Sequence, residues 1–313
     1  MTMLLDGQMV APSSTGSEQP GHGGPPSQRT VVEGPAGTVG AWLWRSTVVD
    51  RPKAPVVIAL HGWTDGGLVY ETLAGGLDRQ WTVIAPDAPG HGWTPWAPGR
   101  AYCLSEAVDH TLQVIEALDR LIDRPGPFVL LGHSMGALTA AAVAAQKPSG
   151  LVHLVLEEPV TKPARRSGMF GRLLAVRGRW LLRTSLAKVQ ALDRDQRMDW
   201  VHRANPDWGA AELGPWADTK VEVDLAQLRV GIDWGLPLTT LLERVKVPVT
   251  LICGTRPGGS EVSPRDIQGF RAAYGGQLDV RRIPAGHNVR RDNAADFNAI
   301  MRGVLLDAES DPL

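Results

Sequence analysis

Apolar residues along this chain fall into short, nearly uninterrupted runs, each closed by a turn-forming residue. Val56–Leu60 (VVIAL) ends at His61-Gly62, Trp81–Ala85 (WTVIA) at Pro86-Asp87, and Phe128–Leu131 (FVLL) at Gly132. Leu151–Leu156 and Val249–Cys253 repeat the pattern. Such runs predict strands buried on both faces, as in a parallel sheet covered by helices. Between them the period changes. Ser105–Ile122 places Ala107, Leu112, Ile115, Leu118, Leu121 and Ile122 at helical spacing with acidic residues early, Ala137–Gln146 is an Ala-rich helix, and Ala294–Leu305 is another. Thr38–Arg45 alternates as a strand and Leu278–Ile283 is strand-like. The pattern predicts an α/β fold, a mostly parallel twisted sheet flanked by helices.

Two stretches depart from this rhythm. Residues 1–28 are dominated by Gly, Pro, Ser and Thr, which predicts a disordered tail, and His22 within it is given no role. Residues 162–245 contain no buried-strand run but carry helical stretches and Trp180, Trp200, Trp208, Trp216 and Trp234. A segment of this length is too long for a structureless loop, so it predicts a helical cap, or lid, inserted between two sheet strands. It follows a strand directly and would sit over the carboxyl edge of the sheet, where open α/β sheets bind ligands. The expected domains are therefore the tail (1–28), a core (29–161 and 246–313) and the cap (162–245).

Composition narrows the function. Thirty-two basic side chains against 33 acidic give a net charge of −1 over 313 residues, which removes the electrostatic case for a nucleic-acid binder. Two cysteines, Cys103 and Cys253, are too few for a disulfide framework or a zinc cluster. The absence of any apolar run of about 18 residues argues against a membrane span. The N-terminus does not read as a signal peptide, so a cytoplasmic location is expected. Eleven tryptophans, against three Tyr and four Phe, suit the walls of a cavity. Residues 162–188 carry eight basic side chains and no acidic one. That run is read as a solvated helix face, with contact to a membrane or an anionic substrate as the alternative.

The chemistry concentrates at Gly132-His-Ser-Met-Gly136, a G-x-S-x-G directly after a strand and directly before a helix. So tight a strand-to-helix turn requires glycine at both ends and holds the Ser134 hydroxyl out at the sheet edge. The helix N-terminus beneath it offers backbone N–H groups to a developing oxyanion. His287, in Ile283-Pro-Ala-Gly-His-Asn288, sits in a turn between a strand-like run and a helix. It is the candidate general base, since an imidazole titrates near neutrality.

From about residue 30 to the C-terminus the chain resembles the α/β-hydrolase superfamily. His61-Gly62-Trp63 is similar to its oxyanion segment, Asp87-Ala-Pro-Gly-His-Gly92 to its D-x-P-G-x-G turn, Gly132–Gly136 to its nucleophile elbow and Gly286-His287 to its histidine loop, in the family's order. The resemblance implies an oxyanion hole built from the backbone N–H groups of Trp63 and Met135, with His61, Asp87 and His91 structural. The usual acid position, in the loop after the Val249–Cys253 strand, holds Pro257 instead. Some branches of the family carry the acid at the end of the preceding strand in sequences like LVLEDP. Here that strand ends LVLEEP, and Glu158 occupies the acid position; the run Gly286–Asp292 (GHNVRRD) resembles the same branches. Glu158 is therefore the preferred triad acid and Glu261 the alternative.

These expectations describe a serine hydrolase of carboxylic esters or lactones with Ser134, His287 and Glu158 as its triad and no metal or organic cofactor. The five tryptophans of residues 162–245, with Trp63, Trp93 and Trp96 expected near the pocket mouth, point to a small hydrophobic substrate, ring-containing ones included. The alternative is that most of them glue the cap to the core. The alternatives are a carbon–carbon bond hydrolase or acyl-transfer enzyme with the same triad, or a ligand-binding member of the fold without catalysis.

Overall fold

The apolar runs form the middle of one eight-stranded sheet. A computed structural model describes residues 27–48, 51, 54–97, 102–122, 126–161, 169–230 and 232–310, with side chains from residue 176 onward in the stretch that begins at 169. The strands are β1 (Gln28–Gly34), β2 (Gly37–Trp44), β3 (Val56–Leu60), β4 (Val83–Pro86), β5 (Phe128–His133), β6 (Leu151–Glu157), β7 (Val249–Gly254) and β8 (Leu278–Ile283). Their order across the sheet is β1-β2-β4-β3-β5-β6-β7-β8. The pairs from β4 to β8 are parallel, and β2 runs antiparallel to both β1 and β4. Every residue of β3, β5 and β7 is buried, as their continuous apolar runs require.

β1 has no such run. Among its residues (QRTVVEG) only Val32 is buried, because it is an edge strand paired on one side. Gln28, expected in the tail, opens this strand, and residues 1–26 of that tail lie outside the described residues.

Helices cover both faces. Helices α1 (Leu104–Glu116) and α2 (Met135–Ala144) bury Leu104, Val108, Val114, Leu138 and Val143 against one face. The other face packs on Tyr70, Leu73, Phe297, Met301 and Leu305. Between β6 and β7 lie three longer helices, α3 (Met169–Gln190), α4 (Arg194–Ala204) and α5 (Ala210–Val221), followed by a short helix at Leu238–Leu242. Asp193 starts α4 through a reciprocal capping box with Gln196. This insertion has a small apolar core of its own, with Val189, Val201, Trp208, Leu213, Trp216 and Ala217. Leu238, Leu241, Leu242 and Val245, expected in the insertion, pack instead into the main core, so the core resumes earlier than residue 246. The C-terminal helix α6 (Ala294–Ser310) closes the chain. Among the described residues no helix is long and apolar enough to cross a membrane.

Candidate active site

Ser134 lies between β5 and α2, as the N-cap of the helix, with φ 53° and ψ −113°, left-handed backbone that a residue with a side chain adopts only under constraint. The constraint is the turn around it. A Cβ on Gly132 would lie 2.2 Å from the Gly136 carbonyl oxygen, and one on Gly136 would lie 2.1 Å from that of Leu60. The Ser134 amide donates to the Glu157 carbonyl at 2.9 Å, tying the elbow to the end of β6. A Cβ on Gly62 would lie 3.4 Å from that of Ser134, so the segment carrying Trp63 lies directly against the serine.

At the end of β6 the backbone turns left-handed again, with Glu158 at φ 43°. Its side chain is fully buried. Oε1 accepts from the Gly254 amide at 2.8 Å and from Ser260 Oγ at 2.6 Å; Oε2 accepts from the Glu261 amide at 2.7 Å. His287 Nδ1 faces the same Oε2 at 3.4 Å. Burial opposes ionisation of Glu158, but these donors outweigh it and hold the carboxyl below its usual range. Burial likewise opposes protonation of His287, yet Glu158 outweighs it and raises the imidazole above its usual value. Of the two carboxylates expected to compete, Glu158 is the one brought to His287. The Glu261 side chain is exposed, and that residue contributes its backbone amide.

The adjacent Glu157 has a different environment. Oε1 accepts from the Arg290 amide at 2.8 Å, and burial pushes its carboxyl up to about 7. The histidine loop is held from two further sides. His133 Nε2 donates to the His287 carbonyl at 3.0 Å, and Asp292 accepts from the Gly286 amide at 2.7 Å and from Trp208 Nε1 at 2.8 Å.

Ser134 and His287 open into one cavity of about 340 Å³. One part of its wall is apolar: Trp63, Leu182, Leu186, Val189, Trp200 and Trp216. Another part is charged and comprises Asp65, Lys220 and Arg291. Lys220 Nζ donates to Asp65 Oδ1 and the Thr64 carbonyl, each at 2.5 Å, and Arg291 donates to Asp65 Oδ2 at 3.1 Å. Burial alone would raise the Asp65 carboxyl, but Arg291 and Lys220 outweigh it and hold it far below its usual range. Burial lowers the Lys220 ammonium, with Asp65 opposing. Among the described residues no group of three or more His, Cys, Asp or Glu side chains is placed to hold a metal ion.

The alpha/beta hydrolase family model matches residues 56–300, which spans the elbow, the insertion and the histidine loop. The chain belongs to the alpha/beta hydrolase family. It is 26% identical over 270 residues to the lipase LipV of Mycobacterium tuberculosis, covering 81% of this chain and 95% of that protein. It is also 26% identical over 271 residues to the magnesium-chelatase 30 kDa subunit of Rhodobacter capsulatus, covering 83% and 89%. A solved structure of E-2-(acetamidomethylene)succinate hydrolase superposes with a TM-score of 0.67 at 19% identity, covering 90% of this chain and 100% of that one.

In this alpha/beta hydrolase the remaining motif residues act as braces. His61 Nδ1 donates to the Gly62 carbonyl at 2.8 Å while its Nε2 accepts from the Ala88 amide at 2.9 Å. His91 Nδ1 donates to the Pro89 carbonyl at 2.9 Å and its Nε2 accepts from the Thr64 amide at 3.2 Å. Each ring is thus fixed as one neutral tautomer, and burial lowers both, His91 to about 3. Asp87 accepts from the Gly67 and Trp93 amides, with burial pushing its carboxyl up to about 6.

The tryptophans divide. Trp63, Trp200, Trp208 and Trp216 line the cavity, and Trp234 packs edge-on against Trp63 at 6.5 Å. Trp180 and Trp93 are exposed and Trp96 lies in the core. Asp65, Lys220 and Arg291 were not expected from the sequence. The available signals were the nearness of Asp65 to the oxyanion segment and the one-turn spacing of Arg291 from His287; Lys220, inside a polar helical stretch, gave none.

Proposed function

We propose that this alpha/beta hydrolase is a serine hydrolase of carboxylic esters or lactones with a largely hydrophobic, ring-containing body, working through an acyl-enzyme on Ser134. The contact of His287 Nδ1 with the buried, four-donor Glu158 carries the reading, because it leaves Nε2 as the ring nitrogen available to Ser134 in the shared cavity. An Nδ1–Oε2 distance of 3.4 Å is ordinary for a triad without substrate.

Ser134 Oγ attacks the acyl carbon and its proton passes to His287 Nε2. The carbonyl oxygen becomes an oxyanion between the amides of Trp63 and Met135, and Glu158 stabilises the imidazolium. The tetrahedral species expels the alkoxide, which takes the proton from His287. Water then attacks the acyl-enzyme, gives a proton to His287 and releases the acid as the proton returns to Ser134. The indole faces of Trp63, Trp200 and Trp216, with Leu182 and Leu186, supply the surface for the apolar body. The helical insertion serves as the cap over that surface.

The test is intact mass after exposure to a small fluorophosphonate. One adduct is expected on the wild type and none on Ser134→Ala, with ester turnover falling about 10⁴-fold in the variant. A wild type that takes no adduct would remove the nucleophile from the reading.

A further inference from the structure

We infer that Lys220 and Arg291 seat an anionic group of the substrate, a carboxylate, in the cavity that holds Ser134. The inference rests on the hydrolase reading of that cavity and adds a charge to the substrate it describes.

Lys220 and Arg291 are about nineteen-twentieths buried, as is Asp65, at 5%, 4% and 5% exposure, and all three line the cavity. Two cations thus face one carboxylate across a small space. Asp65 cannot saturate them: each of its oxygens is taken by one cation, Lys220 Nζ by Oδ1 and Arg291 by Oδ2. The Thr64 carbonyl takes a second lysine donor, and Asn288 Oδ1 accepts from Arg291 at 3.2 Å. An ammonium and a guanidinium carry more N–H donors than these partners use. Behind the wall, Glu212 lies 3.5 Å from Arg291 but is itself shared with Arg290, at 3.0 Å. A third buried carboxyl, Glu157, accepts from the Arg290 amide and is pushed up to about 7 by burial, so it neutralises the cations only in part. The indoles beside the pair reinforce its cationic character. Trp216 lies 5.0 Å from Lys220 Nζ and Trp208 4.9 Å from the Arg291 guanidinium, both in cation–π geometry.

Buried charge in excess is costly unless a counter-charge completes it. A carboxylate would supply one and use the spare donors through charge-assisted hydrogen bonds. Lys220 also touches the Thr64 carbonyl, next to Trp63, so the seat adjoins the oxyanion segment. A carboxylate anchored there fixes the scissile carbonyl relative to Ser134 at short range. The substrate implied is a small amphiphile: an apolar body, an ester or lactone carbonyl, and a free acid group.

Two measurements test this. On Ser134→Ala, which cannot turn over, calorimetry with glutarate is expected to show binding that weakens at least about tenfold in the additional Lys220→Gln variant and returns with Lys220→Arg. Dimethyl glutarate is expected to bind more weakly than glutarate. On active enzyme, kcat/KM is compared for charge-matched pairs. One pair is p-nitrophenyl hydrogen glutarate and its methyl ester, with the charge on the acyl side. The other is the butyrate esters of 4-hydroxybenzoate and of methyl 4-hydroxybenzoate, with the charge on the leaving group. The anionic-to-neutral ratio is expected to exceed one in the wild type for one pair and to fall about tenfold or more in Lys220→Gln. Glutarate that binds no better than its dimethyl ester, or ratios unaffected by Lys220→Gln in both pairs, would overturn the inference. Failure of the fluorophosphonate adduct would instead overturn the hydrolase reading, and the calorimetry would still report on the seat.

Discussion

On the sheet side of the cavity, Ser134, Glu158 and His287 owe their positions to backbone. Ser134 and Glu158 both have left-handed φ at the end of neighbouring parallel strands, and Glu158 is held by two amides and one hydroxyl. Where the insertion meets the core, Asp65, Lys220 and Arg291 owe theirs to one another. They come from a loop after β3, from α5 and from the turn after His287, and charge is what joins them. Groups placed by strained backbone keep their geometry when a neighbour is lost, because the sheet carries the strain. Groups placed by mutual charge do not, since removing one leaves the others buried and unbalanced. The same cavity thus combines a Ser134, His287 and Glu158 arrangement fixed by backbone with a wall whose charged groups are held by one another.

Breaking the first wall has the larger effect. Glu158→Gln keeps the shape but leaves His287 without its anion, and kcat/KM is expected to fall about 10³-fold. Glu261→Gln, with its side chain in solvent, is expected to cost less than about threefold. If Glu261→Gln were the more damaging substitution, the placement of the acid would be reversed. The second wall breaks in stability rather than in rate. Asp65→Asn removes the anion between Lys220 and Arg291 and is expected to destabilise the fold by about 3 kcal/mol, read as a lower urea midpoint at unchanged m. The Asp65 carboxyl is held low in the fold, so its contribution is complete at neutral pH and declines only as pH falls below the ordinary carboxylate range. A midpoint unchanged by Asp65→Asn would mean that this wall, too, is held by backbone.

The contrast also explains what could be read from the chain. Buried parallel strands need continuous apolar runs, and the elbow needs glycine at Gly132 and Gly136, so both are local patterns in the sequence. The Glu157-Glu158 pair stood out because it directly follows such a run, and the choice of Glu158 within it came from the resemblance of LVLEEP to LVLEDP. β1 escaped because an edge strand with one buried residue has no run to show. Lys220 and Asp65 escaped for a deeper reason: their meaning lies in a contact across 155 positions, and neither neighbourhood hints at the other. The core boundary near residue 238 escaped because Leu238–Leu242 reads equally well as insertion helix or core helix until its partners are known.

The smallest expected effect is also the one that reports most directly on the first wall. His287 must be neutral to accept the Ser134 proton, so kcat/KM rises with pH as the imidazole loses its proton. Glu158 favours the imidazolium and places this acid limb above the ordinary imidazole value of 6.5. Glu158→Gln removes that support while burial, which disfavours the cation, remains. The residual activity of Glu158→Gln is therefore expected to show its acid limb at lower pH than the wild type. Glu261→Gln removes a weaker and more distant charge and is expected to move the limb in the same direction by much less. Equal shifts in the two variants would mean that His287 senses a diffuse negative field, not one seated carboxylate. A limb that stays in place in Glu158→Gln would separate Glu158 from the base altogether, leaving the 3.4 Å contact as packing.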